Sequence, residues 1–338
     1  MDARVLRLAS PTNAIRIRFL GLRITTVVAI AAVAMAGCSG ISRTDGTDQY
    51  ADDSFTVPDG GPPRFADDQG PRVGIDEAHH NYHTAGERYR SFANLLRDDG
   101  YQVIPFAEVF RPDALTEIDI LVISNALSAE KEHDWSLPTP LAFTSAEVEA
   151  VEQWVGAGGK LMLIADHMPF PGAAANLARA FGLVFHDSYA YRPGSFDNRE
   201  SELVFSKENG LLADHTVTQD AGGGEVPFVV TFTGQGFRIL PGTQADPLLF
   251  LGEDSFLLLP TRAEEFDLTA PRIPGVGLLQ GALIEHGAGR VAVFGEAAAF
   301  SAQIQERETG PYPFGMNNPV APHNARFLLN VMGWLSDN

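Results

Sequence analysis

Apolar residues along this chain follow two alternating rhythms. Unbroken apolar runs bounded by turn residues predict buried strands at Arg72–Asp76, 101–106, 118–123 and 160–165. Between them the spacing changes to three or four residues. Tyr89, Phe92, Leu95 and Leu96 form one helical stripe, and Val148, Val151, Trp154 and Val155 form another. Thr84 with Glu87, and Thr144 with Glu147, have capping-box spacing at the two helix starts. Gly100 and the pair Gly158-Gly159 mark their ends. A third helix, of small residues, is expected over 173–181. This alternation predicts an α/β fold with a doubly wound, mostly parallel sheet. From about 187 to 270 the pattern turns to short strand-like runs among Gly and Pro, expected to be a β-rich insertion. Residues 276–285 and 290–294 predict a C-terminal hairpin, and 326–335 a closing helix. The α/β domain is therefore expected to span 71–338.

The first 37 residues carry a different message. Arg4, Arg7, Arg16, Arg18 and Arg23 precede an apolar stretch over 24–36. That stretch is short for a bilayer span and fits the core of a signal peptide. It runs into Met35-Ala36-Gly37-Cys38, which resembles the lipobox of bacterial lipoproteins. The resemblance implies lipidation at Cys38 and attachment to a membrane of the bacterial cell envelope, on the periplasmic face of the inner or outer membrane. Cys38 is the sole cysteine, so an intramolecular disulfide and a second, catalytic thiol are excluded. Residues 38–70 are rich in Ser, Gly, Asp, Thr and Pro and are expected to form a flexible acidic tether.

The chain has 24 basic and 43 acidic side chains, a formal charge of −19. Without the leader, 19 basic face 42 acidic side chains, a charge of −23. Nucleic acid is thereby excluded as an expected partner. Anionic membrane surfaces repel such a domain, so attachment rests on the lipid.

The densest chemistry lies in Asp76-Glu77-Ala78-His79-His80-Asn81-Tyr82-His83. Three of the nine histidines and two carboxylates fall within eight residues, directly after a predicted strand. Imidazole and carboxylate bind transition metals and move protons near neutral pH. In a parallel sheet, ligands sit beyond the carboxyl ends of the strands. That edge is expected to gather Asp76 and the histidines, Ser124-Asn125, Asp166-His167, and Gly295-Glu296. The candidate metal ligands are Asp76, His79, His80 and His83, for zinc, manganese or iron. The candidate proton-handling residues are Asp166, His167 and Glu296. Glu77, Asn125 and Asn317 are candidates for binding substrate, with the polar stretch Asn317, Asn318, His323 and Asn324 as a lid. Structural roles compete with each of these. Asp76 can tie down a loop, Asp166-His167 can shape the turn into Met168-Pro169, and Glu296 can face a helix N-terminus. No Gly-x-Ser-x-Gly elbow, phosphate loop, Gly-x-Gly-x-x-Gly or His-Glu-x-x-His occurs.

With these segments in place, the chain resembles the class I glutamine amidotransferase-like superfamily, of flavodoxin-like topology. Within it, the lipoprotein and gliding-protein branch is the nearest in pattern. Arg72–Asp76 and the stretches 154–166, 289–296 and 324–334 carry the resemblance, which spans about 72–186 and 276–336. In that superfamily a cysteine nucleophile follows the strand that here ends near Ala165. Asp166 stands in its place, so thioester chemistry on glutamine is not expected. Branches without the cysteine include trehalose-utilisation-like domains and domains appended to carbohydrate enzymes or intraflagellar proteins. The resemblance therefore allows two functions. One is a metal-assisted or acid–base hydrolase of a carbohydrate- or amide-type substrate. The other is a non-catalytic module that binds a glycan or protein.

Overall fold

A computed structural model describes residues 49–57, 61–192, 202–219, 224–263, 269–307 and 310–337. The leader and Cys38 lie outside the described residues. In chain order the strands are β1 (Gln49–Ala51), β2 (Arg72–Asp76), β3 (Gln102–Phe106), β4 (Ile120–Ser124), β5 (Lys160–Ile164), β6 (Leu183–Phe185), β7 (Tyr189–Tyr191), β8 (Leu203–Ser206), β9 (Phe228–Thr231), β10 (Phe237–Ile239), β11 (Ala245–Phe250), β12 (Phe256–Leu258), β13 (Arg272–Pro274), β14 (Leu279–His286), β15 (Gly289–Phe294), β16 (Ala302–Arg307) and β17 (Gly310–Gly315). The helices are α1 (Arg90–Asp98), α2 (Pro112–Leu115), α3 (Ser145–Gly156), α4 (Phe170–Ala173), α5 (Ala175–Ala180) and α6 (Asn324–Ser336).

The large sheet has the order β3-β2-β4-β5-β15-β14-β10-β6, with β11 also paired to β14. From β3 to β15 the neighbours are parallel. Beyond β15 every pairing is antiparallel. The sheet is thus mixed, and the expected mostly parallel arrangement is corrected. The hairpin β14–β15 explains the change of direction. Its two-residue connection, Gly287-Ala288, forces the strands antiparallel. Because β15 docks on β5, the strands added beyond β14 follow the hairpin's geometry. The segment read as a β-rich insertion supplies two of them, β10 and β11. It also supplies the pair β8–β9 and part of the small sheet β13-β12-β7.

Strand alternation divides the buried apolar residues of β2, β4 and β5 between two clusters. Val73, Ile75, Val122, Met162 and Ile164 pack with Phe92 and Leu96 of α1 and Phe327 and Val331 of α6. Leu121, Ile123, Leu161 and Leu163 pack with Val151 and Val155 of α3 and Leu177 of α5.

Two local expectations change. The described part of the tether is docked on the domain. β1 pairs with β16, and the Phe65 ring meets Tyr101 edge-on at 5.1 Å. Phe55, Val57 and Phe65, sparse among polar residues, pack against the core and hold this segment. The first helix starts at Arg90, not near Thr84. The Ala85 N–H donates to Glu77 Oε1 at 2.9 Å, and Tyr89 N–H reaches back to the Thr84 carbonyl at 3.1 Å, so 84–89 is a run of turns. At Thr144 the capping box forms as its spacing predicts.

Gly289 shows how closely the hairpin sits on α3. A Cβ there would lie 2.1 Å from the Val155 carbonyl oxygen and 2.3 Å from that of Gly159. Gly289→Ala is expected to cost about 1–3 kcal/mol, the usual range for overpacking. Urea denaturation checks it; an unchanged midpoint would contradict this packing.

Candidate functional site

β2, β4, β5 and β15 end at one edge of the sheet, which brings Asp76, Asn125, Asp166 and Glu296 into one neighbourhood. All four are buried. They belong to two hydrogen-bonded groups.

The first group is built on His79. Its Nδ1 lies 2.9 and 3.0 Å from the two oxygens of Asp76, and its Nε2 lies 2.9 Å from Glu147 Oε1. The other contacts of those carboxylates are donors. Ala78 N–H and Asn81 Nδ2 donate to Asp76; Phe110 N–H, Thr144 N–H and the Thr144 hydroxyl donate to Glu147. These surroundings favour a proton on each ring nitrogen. Burial opposes a charge on His79, but the hydrogen bonds and charges of Asp76 and then Glu147 outweigh it and raise its pKa. Burial likewise raises Glu147, yet the Thr144 and His79 bonds bring it below the usual carboxylate range. The rings of Phe110 and Phe143, 4.5 and 4.8 Å away, shield the imidazolium.

The second group is a relay through Asn125, held in the left-handed region at φ 52°. Asn125 Oδ1 accepts the Asp166 N–H at 2.9 Å, which turns its amide group toward His83 Nδ1 at 3.2 Å. His83 is thus an acceptor at Nδ1. Burial, then the charges of Arg88 and His167, push its pKa well down, so the ring is neutral. Asp166 accepts the N–H groups of His167 and Ala297. Glu296 accepts those of Ala298 and Ala299 at 2.9 and 2.7 Å. Burial and the neighbouring Asp166 charge nonetheless raise Glu296 well above the usual carboxylate range.

Outside these groups lies an aromatic rim. His167, partly exposed, donates from Nδ1 to the Met168 carbonyl at 2.7 Å. Its ring stacks on Tyr189 at 4.5 Å and 15°. Trp135 lies 6.4 Å from His167, 5.2 Å from Phe170 and 5.5 Å from Tyr82. Arg88 lies over the Tyr82 ring at 3.9 Å. Asp187, partly buried, accepts from the Thr139 hydroxyl and from the Gly172 N–H. None of Tyr82, Trp135, Tyr189 or Asp187 was singled out from the sequence. Their only local signal is Trp135, an aromatic residue in a Pro-rich loop.

The structure does not assemble the proposed metal set. Both nitrogens of His79 face carboxylates. His80 is exposed and meets Glu132 at 3.1 Å, and His83 bonds Asn125. Among the described residues, no three His, Cys, Asp or Glu side chains are arranged to hold a metal. Glu77 is spent on the Ala85 N–H. Asn317 is not at this edge either. It donates to Asp52 and to the Gln303 carbonyl and lines a separate cleft of about 620 Å³ with Asn318 and His323. Of the stretch read as a lid, Asn317, Asn318 and His323 therefore border that cleft, while Asn324 is buried and bonded to Val230.

No family model matches the chain, and no curated protein matches it. Among solved structures it is similar to the mmIFT52 N-terminal domain, with a TM-score of 0.54 and 13% identity over 79% of this chain and 98% of that domain. The likeness is one of fold. ThuA-like proteins, of the class I glutamine amidotransferase-like superfamily, are also structural neighbours. One from Bacteroides uniformis has a TM-score of 0.43 and 14% identity over 82% of this chain and 95% of that one. One from Parabacteroides merdae has 0.41 and 9% over 79% and 90%.

The His79 group makes stability depend on pH with a definite sign. A base whose pKa is raised by folding stabilises fully below its unfolded value and loses that contribution as pH rises through the folded value. The penalty of His79→Gln should therefore be largest below about 6.5, the ordinary imidazole value, and shrink as pH rises above it. Urea midpoints of both proteins across that window test this. A penalty that grows with pH would contradict a protonated His79.

Proposed function

We propose that this chain is a lipid-anchored module of the bacterial cell envelope, in the lipoprotein and gliding-protein branch, that binds a glycan at the aromatic rim. One observation carries this reading. Asp76, His79, Glu147, Asp166 and Glu296 are turned inward onto each other or onto backbone N–H groups, whereas the aromatic side chains Tyr82, Trp135 and His167 are partly exposed. Aromatic faces with a few polar atoms between them suit a sugar ring, which offers an apolar face and a hydroxyl edge. Attachment through Cys38 would hold the rim among envelope polysaccharides.

A hydrolytic reading keeps one observation in its favour. Burial and the Asp166 charge raise Glu296 well above the usual carboxylate range, and a carboxyl group raised in this way suits a general acid. Against it, both accept backbone N–H groups and both are buried.

Isothermal titration of the purified protein with envelope oligosaccharides decides between binding and turnover. Trp135→Ala should weaken the best ligand at least about tenfold, or about 1.4 kcal/mol, while Glu132→Gln leaves it unchanged. Equal affinity of Trp135→Ala and wild type, or release of new reducing ends that is abolished by Glu296→Gln, would overturn the binding reading.

A further inference from the structure

Arg88 is the feature of this edge that the aromatic rim does not use. It lies in the turns between His83 and α1. Its Nη1 donates to the Tyr82 carbonyl at 3.3 Å, and its guanidinium lies over the Tyr82 ring. No carboxylate among the described residues is within ion-pair distance of it. Arg64, Arg72, Arg90, Arg111, Arg192 and Arg262 each meet one. Arg88 Nε is also shut off from water with no acceptor, alone among arginine nitrogens of the described residues. A donor in that state costs free energy unless something supplies the missing oxygen. What sets Arg88 apart is therefore the sealed, unsatisfied Nε together with the missing acid.

The rim places this cation next to the proposed ligand. Tyr82, on which Arg88 rests, has its ring 5.5 Å from Trp135, and Trp135 is 6.4 Å from His167. With Nε sealed from water, a carboxylate or sulfate would meet this planar guanidinium through two parallel hydrogen bonds from its Nη groups.

We propose that the ligand is an acidic glycan, and that Arg88 reads its carboxylate or sulfate group while the sugar ring lies on the rim. This rests on the glycan-binding reading above. The charge balance makes the assignment specific. With a formal charge of −19, the molecule's overall field disfavours an anionic ligand. Any preference for an acidic over a neutral sugar must therefore come from a local cation, and Arg88 is in contact with the rim through Tyr82.

The test is isothermal titration of the purified protein with three matched oligosaccharide series: neutral, uronic-acid and sulfated. Wild type should bind one or both anionic series at least about tenfold more tightly than the neutral one, a difference of about 1.4 kcal/mol. The tighter series identifies the anion. Arg88→Gln should remove the preference and leave neutral binding intact, and Arg88→Lys should restore part of it. Should Arg88→Gln not fold, competition on wild type replaces it: free glucuronate or inorganic sulfate should displace the acidic oligomer, and glucose should not. Equal binding of neutral and acidic series by wild type would overturn this inference and leave the glycan reading standing. A preference that survives in folded Arg88→Gln would overturn it too. No binding by any series would overturn both.

Discussion

The edge of this molecule is organised by one buried imidazole held between two carboxylates. His79 joins Asp76, at the end of β2, to Glu147, in the first turn of α3. Asn81, bonded to Asp76 and to the Ser124 carbonyl, ties the same group to β4. Glu147 also completes the capping box of α3, so helix initiation and the His79 contact share one side chain. A buried charge set of this kind is poor evidence of extra stability, because desolvation offsets most of the attraction. Its effect is on geometry. Loss of one member leaves a buried charge unpaired, at a cost of about 3–5 kcal/mol, so the loop has few alternative conformations.

That constraint separates the edge into an inner and an outer part. The inner part fixes the loop 76–83 and, through Asn125, the positions of His83 and Asp166. The outer part is what the fixed loop presents: Tyr82, with Arg88 lying over it, beside Trp135 and His167. A concentration of histidine and acid that suggests catalysis in the sequence thus serves as the mount for an aromatic and cationic surface.

Much of the fold was legible because strands β2 to β5 are continuous apolar runs and α3 begins with a capping box whose residues do what their spacing implies. The mixed sheet was not, because its antiparallel half consists of three- to six-residue strands whose partners are remote in sequence, apart from the β14–β15 hairpin. β6 and β10, for instance, pair across more than fifty residues of chain. At the site, the strand-end residues Asp76, Asn125, Asp166 and Glu296 were found by topology alone. Their roles were not, since sequence spacing cannot show that Glu147, 68 residues from His79, would take the imidazole nitrogen that a metal would need. Trp135 comes from a loop and Tyr189 from the three-residue strand β7, neither with a legible periodicity, and only the three-dimensional packing places them together around His167.

The most direct test of this account is the protonation state of His79, read from a long-range ¹⁵N–¹H correlation spectrum of the histidine rings at neutral pH. An imidazole with protons on both nitrogens is the predicted result, and it would establish His79 as the clamp between Asp76 and Glu147. A His79 ring with one unprotonated nitrogen would contradict the account and return that nitrogen to the set available for metal binding or catalysis.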